Sequence, residues 1–458
     1  MSSYTLANTT EHIELRPRQV EEGLRPIRQH KRSSSSTSFI HFKTPAIPPD
    51  PIDDESPLDD GHRLATQALP SLLISVVGLV LAGWMMDTFQ HWQVFEQVSE
   101  LFILVPVLLN LKGNLEMNLA ARFSTSANLG DLDLPQKRNA LIWGNLALIQ
   151  VQALISGAVA GMVSLVLGWL EHPSDLTISN TLVVTASSII AATGSSFVLG
   201  VFMCLLIIAS RKLEIDPDNI ACPMASSLGD VVTLGILAAS AHTLMNYSDS
   251  SLSLMVILAM IASIPFFARA VWQNKHVKDL LLSGWSPIMI AMLISSLAGL
   301  VLERFVEKYK GLAMLTPIVC GLTGNLGSIY ASRISTSLHA GRKDDQKHVE
   351  WTLLLMNVPV QCLFLCVIWW LDLGHLDFTF AFALTYFIVA TTCTFAALKM
   401  GRFMTFLFWK QGYDPDNYVL PYLTAMIDVL CTSLLVFSCW YLASNGLADL
   451  ATFDIKEN

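Results

Sequence analysis

Charge is scarce in this sequence. Only 14% of its 458 residues are Asp, Glu, Lys or Arg, where soluble domains carry about a quarter. A water-exposed globular protein of ordinary composition is therefore excluded. Nucleotide-driven pumping lacks its signature too, since no GxxxxGK[ST] phosphate loop occurs. No covalent chemistry is implied, and the reading is of a non-enzyme without a resident cofactor. The eight cysteines (204, 222, 320, 362, 366, 393, 431 and 439) lie within or at the edges of apolar segments, with no CxxC and no Cys/His metal spacing. That excludes a secreted disulfide framework and a structural zinc site. Cys362 and Cys366, one helical turn apart, read as packing residues. No signal peptide opens the chain, because the first apolar run begins too far in.

Apolar runs are absent from residues 1–63 and dominate everything after. LRPRQVEEGLRPIRQHKRSSSSTS and the acidic DPIDDESPLDDG cannot bury a core, which predicts a disordered cytosolic tail over 1–63. HKRSSSS within it reads as a solvated linker or a phosphorylation site. Beyond it, a 53% hydrophobic composition and a mean hydropathy of +0.51 predict an all-α polytopic membrane protein. Eleven apolar segments centre on 68–86, 100–121, 140–170, 178–209, 220–245, 251–268, 285–302, 312–331, 350–371, 379–398 and 420–444.

Basic residues orient these segments. With the N-terminus inside, fifteen Lys and Arg fall in cytosolic loops and three (Arg304, Lys308, Lys310) outside. The C-terminus is then outside, and the sequon at Asn246 lies in an outer loop, close to the membrane.

Two acid-bearing segments organise the apolar region. DPDNIACPMASSLGD (216–230) and DPDNYVLPYLTAMID (414–428) share six of fifteen residues at an offset of 198. Each has a proline suited to the first helical turn, a second proline (Pro223, Pro421), and an acid seven residues beyond it (Asp230, Asp428). Seven residues are about two helical turns, so proline and acid share a face. The inner prolines leave the carbonyls of Asn219 and Asn417 without their usual donors. A second pair, PVLLNLKGNLEMNLAARFST (106–125) and PIVCGLTGNLGSIYASRIST (317–336), is identical at nine of twenty positions at an offset of 211. The expected domains are 1–63 tail, 64–245 first five-helix repeat, 246–283 linker with one extra membrane helix, 284–445 second repeat and 446–458 tail. One extra crossing restores the direction of the second copy, which predicts parallel repeats around a central pathway.

On these duplicated motifs the chain resembles solute carrier family 41, the animal magnesium transporters related to the bacterial MgtE family. The likeness covers residues 64–445. It implies a Mg²⁺ pathway built from the second and fifth helices of each half, with Na⁺ as a candidate coupling ion and the plasma membrane as the location. MgtE-like proteins reach that geometry as dimers of five-helix chains, and fusion of the two copies predicts function as a monomer. No counterpart of the bacterial magnesium-sensing domains is present, so their gating is not carried over.

Asp230 and Asp428 have no basic partner on their own helices, and a carboxylate in an apolar span is costly unless paired or hydrated. Either the two face each other and balance a dication, as the resemblance implies, or they are buried structural acids. Carbonyls at Asn219 and Asn417 would complete an oxygen set suited to Mg²⁺, and the absence of His and Cys beside the acids argues against zinc or copper. Asn114 and Asn325, each after a glycine, present amide oxygens to an ion or mark close helix packing. Lys112 and Glu116, four residues apart, form an intramembrane ion pair, or Glu116 is a further cation or coupling-ion ligand. Arg122 and Arg333 read as cytosolic anchors. Asp216 and Asp414 read as helix caps, and Asp218 and Asp416 as caps or vestibule acids. Other readings are a Mg²⁺ or divalent cation channel without a coupling ion, a carrier for a small organic cation, and a non-transporting membrane scaffold. Transport would draw on an ion gradient or on the membrane potential, worth ~2.3 kcal/mol per charge per 100 mV.

Overall fold

The computed structural model describes residues 57–450 apart from 129–131, 133, 172–176, 213–216, 248–250, 283–284, 340–346, 372, 374–375, 377 and 414. Most of the 1–63 tail, including the serine run, lies outside them. No strand occurs among the described residues. The helices are α1 (Pro57–Phe89), a short α2 (Gln93–Gln97), α3 (Glu100–Asn128), α4 (Pro135–Glu171), α5 (Ile178–Lys212), α6 (Pro217–Asn246), α7 (Leu252–Gln273), α8 (Trp285–Val306), α9 (Leu312–His339), α10 (Lys347–Leu371), α11 (Phe380–Lys410) and α12 (Pro415–Ser444). Eleven are long, matching the eleven apolar segments. Helix α1 starts at Pro57, short of the tail boundary expected at 63, because hydropathy marks where a bilayer begins and not where helical hydrogen bonding begins.

Ten of the eleven are apolar and long enough to cross a membrane. The exception is α3. Its 29 residues would reach about 43 Å at 1.5 Å per residue, but Asn110, Lys112, Asn114 and Glu116 lower its hydropathy. All four of those side chains are buried. Helix α3 packs against α4, α5, α6, α8 and α12, so it is shielded from lipid by protein.

Local chemistry sets the helix ends. Both DPDN segments start their helices at the proline, Pro217 for α6 and Pro415 for α12, where the missing N–H costs nothing. Thr379 caps α11 by accepting from the Phe382 amide at 3.1 Å. Helices α11 and α12 close on Gly412 (φ 82°) and Gly446 (φ 63°). At the first, Tyr413 N–H donates to Phe408 O and Gly412 N–H to Trp409 O. At the second, Leu447 N–H donates to Leu442 O and Gly446 N–H to Ala443 O. These are Schellman closures, which need a left-handed residue.

Contacts between helices come in matched pairs when α1, α3, α4, α5, α6 are set against α8, α9, α10, α11, α12. Helix α1 packs on α6 of its own set and on α9 and α10 of the other, while α8 packs on α12 of its own set and on α3 and α4 of the other. Helices α3, α6, α9 and α12 form a ring in which each touches the next. The extra helix α7 leans on α4 and α5 and is only 6% buried over its apolar window.

Two glycines make the crossings of α1 and α8 close. A Cβ on Gly83 would lie 2.5 Å from Met314 O on α9, and one on Gly299 would lie 2.3 Å from Ile103 O on α3. Ile103 and Met314 are counterparts at the offset of 211, so the same backbone-to-backbone approach is built twice. Within the first set, Gly157 of a GxxxG pair on α4 meets Ala192 on α5, and Ser188 Oγ donates to its carbonyl at 2.6 Å, the small-residue packing expected in membranes. Gly83→Ala and Gly299→Ala are each expected to destabilise the purified chain by about 1–3 kcal/mol through overpacking against rigid backbone. Gly235→Ala meets only the flexible end of Met85 and is expected to be neutral or stabilising. Thermal unfolding in detergent checks the three together.

Candidate cation pathway

Lys112 on α3 does not pair with Glu116, one turn along its own helix. Its ammonium donates to Asp230 Oδ1 on α6 at 2.8 Å, with the side chains only 2% and 10% exposed. The seat exists because residue 229 is glycine, where a Cβ would fall 2.1 Å from Lys112 Nζ. The second half differs at both corresponding positions: Thr323 stands for Lys112, and Ile427 for Gly229. Neither acid has a basic partner on its own helix, as expected, and the one that Asp230 finds is tertiary. The partner lies on another helix, 118 residues away.

Asp428 on α12 has a neutral hydrogen-bond partner instead. It is half-buried, and Asn110 on α3 donates to its Oδ2 at 3.3 Å and to Thr424 Oγ1 at 3.0 Å. Asn114, a turn further on, donates to Asn110 Oδ1 at 2.8 Å, which orients the first amide toward the acid. Asn114 Oδ1 is buried and finds no partner among the described residues. Helix α3 therefore serves the acids of both halves, Asp230 through Lys112 and Asp428 through Asn110. The two carboxylates are near enough to feel each other's charge.

Helix α9, the counterpart of α3, contributes less. Gly321 replaces Asn110, and the space of its missing side chain is taken by Leu79 of α1, 2.5 Å from where a Cβ would lie. The amide of Asn325 donates to Ser75 Oγ on α1 at 3.1 Å, which ties it to helix packing. Cys320 Sγ approaches Asp428 O and Thr432 Oγ1 at 3.9 Å.

Glu116 is 1% exposed, and neither carboxyl oxygen has a hydrogen-bond partner among the described residues. It lies within electrostatic reach of Lys112 and Asp230. A buried acid without a hydrogen-bond partner is costly in an apolar span. Among the described residues no three His, Cys, Asp or Glu side chains converge tightly enough to hold one bare ion.

The side chains of Asn219, Asn417, Asp218, Asp416 and Arg122 lie outside what the structure describes, as do Asp216 and Asp414 altogether. The backbone of α12 runs helical through Pro421, where Thr424 Oγ1 donates back to Leu420 O and Pro421 O. Asn110 and Thr424 were not legible as site residues. A signal for Asn110 exists in the polar alternation at 110, 112, 114 and 116, which puts two i, i+4 pairs on roughly opposite faces of α3.

Lys112→Met leaves the Asp230 carboxylate buried without its counter-charge and is expected to cost about 3–5 kcal/mol. Lys112→Met combined with Asp230→Asn is expected to recover most of that loss. Thermal or denaturant unfolding of the two variants against wild type measures the difference.

The chain as a whole is similar to known proteins. The MgtE family, described as a divalent cation transporter, matches the chain twice, over residues 105–240 and 316–438. Solute carrier family 41 member 2 of Mus musculus is 37% identical over 419 residues, covering 86% of this chain and 73% of its own. Member 3 of Rattus norvegicus is 38% identical over 411 residues, covering 84% and 88%. The structure of the eukaryotic MATE transporter AtDTX14 covers 83% of this chain and 96% of its own, with a TM-score of 0.31 at 10% identity, too distant to bear on the fold. The chain is a multi-pass helical membrane protein and belongs to the MgtE-type divalent cation transporters, within solute carrier family 41.

Proposed function

We propose that this protein carries Mg²⁺ across the bilayer between α3, α6, α9 and α12, with Na⁺ as the coupling ion. The observation that carries the reading is the convergence of α3 on both pore acids. One ammonium (Lys112) set against three carboxylates (Glu116, Asp230 and Asp428) leaves two formal negative charges around α3, the complement of one dication. Asp230 is already answered by Lys112, so the cargo meets Asp428 first, with the amides of Asn110 and Asn114 and the hydroxyl of Thr424 beside it. Glu116 and the Asp230 pair set the remaining charge. Spacing too wide for a bare ion suits Mg²⁺, which dehydrates reluctantly and is held through its waters. The carbonyls of Asn219 and Asn417 belong to the same proposal at the mouth of the pathway. Mg²⁺ here is cargo.

The paired contact pattern and the two separate family matches support the division into repeats over 64–245 and 284–445 with a linker at 246–283. Both halves of the ring come from one chain, which supports action as a monomer. The basic-loop bias supports a cytosolic N-terminus, an outer C-terminus and a place in the plasma membrane.

In proteoliposomes the wild-type chain is expected to pass Mg²⁺, and Asp428→Asn to cut that flux roughly tenfold or more, equivalent to ~1.4 kcal/mol. Asp230→Asn is expected to do the same by leaving Lys112 as an unanswered positive charge in the path. An imposed Na⁺ gradient should accelerate Mg²⁺ movement in the opposite direction. Normal flux in both variants would sink the acid site, and flux indifferent to Na⁺ would make the protein a channel.

A further inference from the structure

The stretch from Phe380 to Leu398 on α11 is uncharged. Its nineteen residues reach about 29 Å, the thickness of a bilayer's hydrocarbon core. The helix then continues for another twelve residues to Lys410, and every base it carries lies in that extension. Lys399, Arg402, Phe403, Phe406, Leu407 and Lys410 share one open surface of α11. Their spacing of i, i+3, i+4, i+7, i+8 and i+11 puts them on a single helix face. The face mixes two chemistries. Phe403, Phe406 and Leu407 are 66%, 44% and 38% exposed, an apolar surface at the level of the membrane interface. Two of the three bases lie over aromatic rings, Lys399 Nζ 5.2 Å from the centre of Phe395 and Arg402 Cζ 5.9 Å from that of Phe406.

Glu350 of α10 holds the bases in place without cancelling them. It is buried, accepts from Lys399 at 2.5 Å and lies 3.9 Å from Arg402, while Tyr330 donates to it at 3.3 Å. Among the described residues of this face, three bases against one acid leave two positive charges at headgroup depth. Trp409, 38% exposed, stands at the same level, where indoles favour the membrane interface.

We propose that this face binds a phosphate-bearing anionic phospholipid of the cytosolic leaflet, its headgroup on Arg402 and Lys410, its glycerol region against Phe403 and Phe406, and its acyl chains running back beside the uncharged stretch that ends at Leu398. The site rests on the orientation given by the basic loops and is independent of what the transport pathway carries. A soluble phosphate would gain the charges but leave the exposed phenylalanines unused. A lipid uses both.

Native mass spectrometry of the purified full chain, offered phosphatidylserine, phosphatidylinositol and phosphatidylcholine at equal concentration, reads the preference. The anionic lipids are expected to bind several-fold tighter than phosphatidylcholine. Near a membrane surface each base is worth about fivefold, so Arg402→Gln with Lys410→Gln is expected to cut anionic binding on the order of twentyfold, with Lys399 left to hold Glu350. Lys275→Gln with Lys278→Gln removes two exposed bases elsewhere and should leave the preference intact. Should the double variant not fold, Lys410→Gln alone, at the exposed end of the helix, is expected to show the fivefold loss. No preference in wild type, an equal loss in the control pair, or full displacement by a soluble inositol phosphate would overturn the site.

Discussion

A charge inside a bilayer has to be answered by the protein, because no water is there to answer it. In this chain the Lys112–Asp230 pair meets that constraint, and much of the interior follows from it. The ammonium needs a seat, which residue 229 provides by having no side chain. The helix that carries it cannot face lipid, so α3 is surrounded by α4, α5, α6, α8 and α12. With Lys112 directed to α6, the amide of Asn110 is left to reach the other acid on α12. A pair of buried charges of this kind contributes little net stability while making the loss of either partner expensive, which fits a role in holding a pathway rather than in holding the fold.

Stability comes instead from close crossings that occur twice. Gly83 against Met314 and Gly299 against Ile103 set α1 and α8 backbone-to-backbone on the second helix of the opposite half. The two halves are thereby interlocked, since each lends its first helix to the other. Over this near-symmetric frame the polar chemistry is uneven: α3 carries Asn110, Lys112, Asn114 and Glu116, and α9 has Gly321, Thr323, Asn325 and Gly327 in their places. Duplication supplied the frame, and divergence of one helix supplied the difference in charge. One acid is thereby paired with an ammonium and the other only with a neutral amide.

The architecture was largely legible in the residues. Eleven long helices, an extra helix between two sets of five and helix starts at Pro217 and Pro415 follow from hydropathy, offset and proline chemistry. Position along a helix was legible too, which is why Asp230 and Asp428 stood out. What could not be read was which helix answers which acid. Lys112 and Glu116 are separated by one turn, and local spacing makes them a natural pair. The competing contact with Asp230 spans 118 residues and depends on the glycine at 229, a tertiary fact. For the same reason Asn114 and Asn325 looked equivalent, although one amide orients Asn110 and the other is tied to Ser75. The start of α1 at Pro57 was missed because hydropathy does not register a helix that continues into water.

The unevenness of the two halves is open to one direct measurement: equilibrium Mg²⁺ binding by titration calorimetry of Asn114→Ala against its repeat counterpart Asn325→Ala. A pathway served from α3 predicts that the first substitution weakens binding by about tenfold or more, the loss of ~1.4 kcal/mol, and that the second has a much smaller effect. Equal losses in the two variants would mean that both halves serve the ion alike, and would contradict the one-sided role of α3.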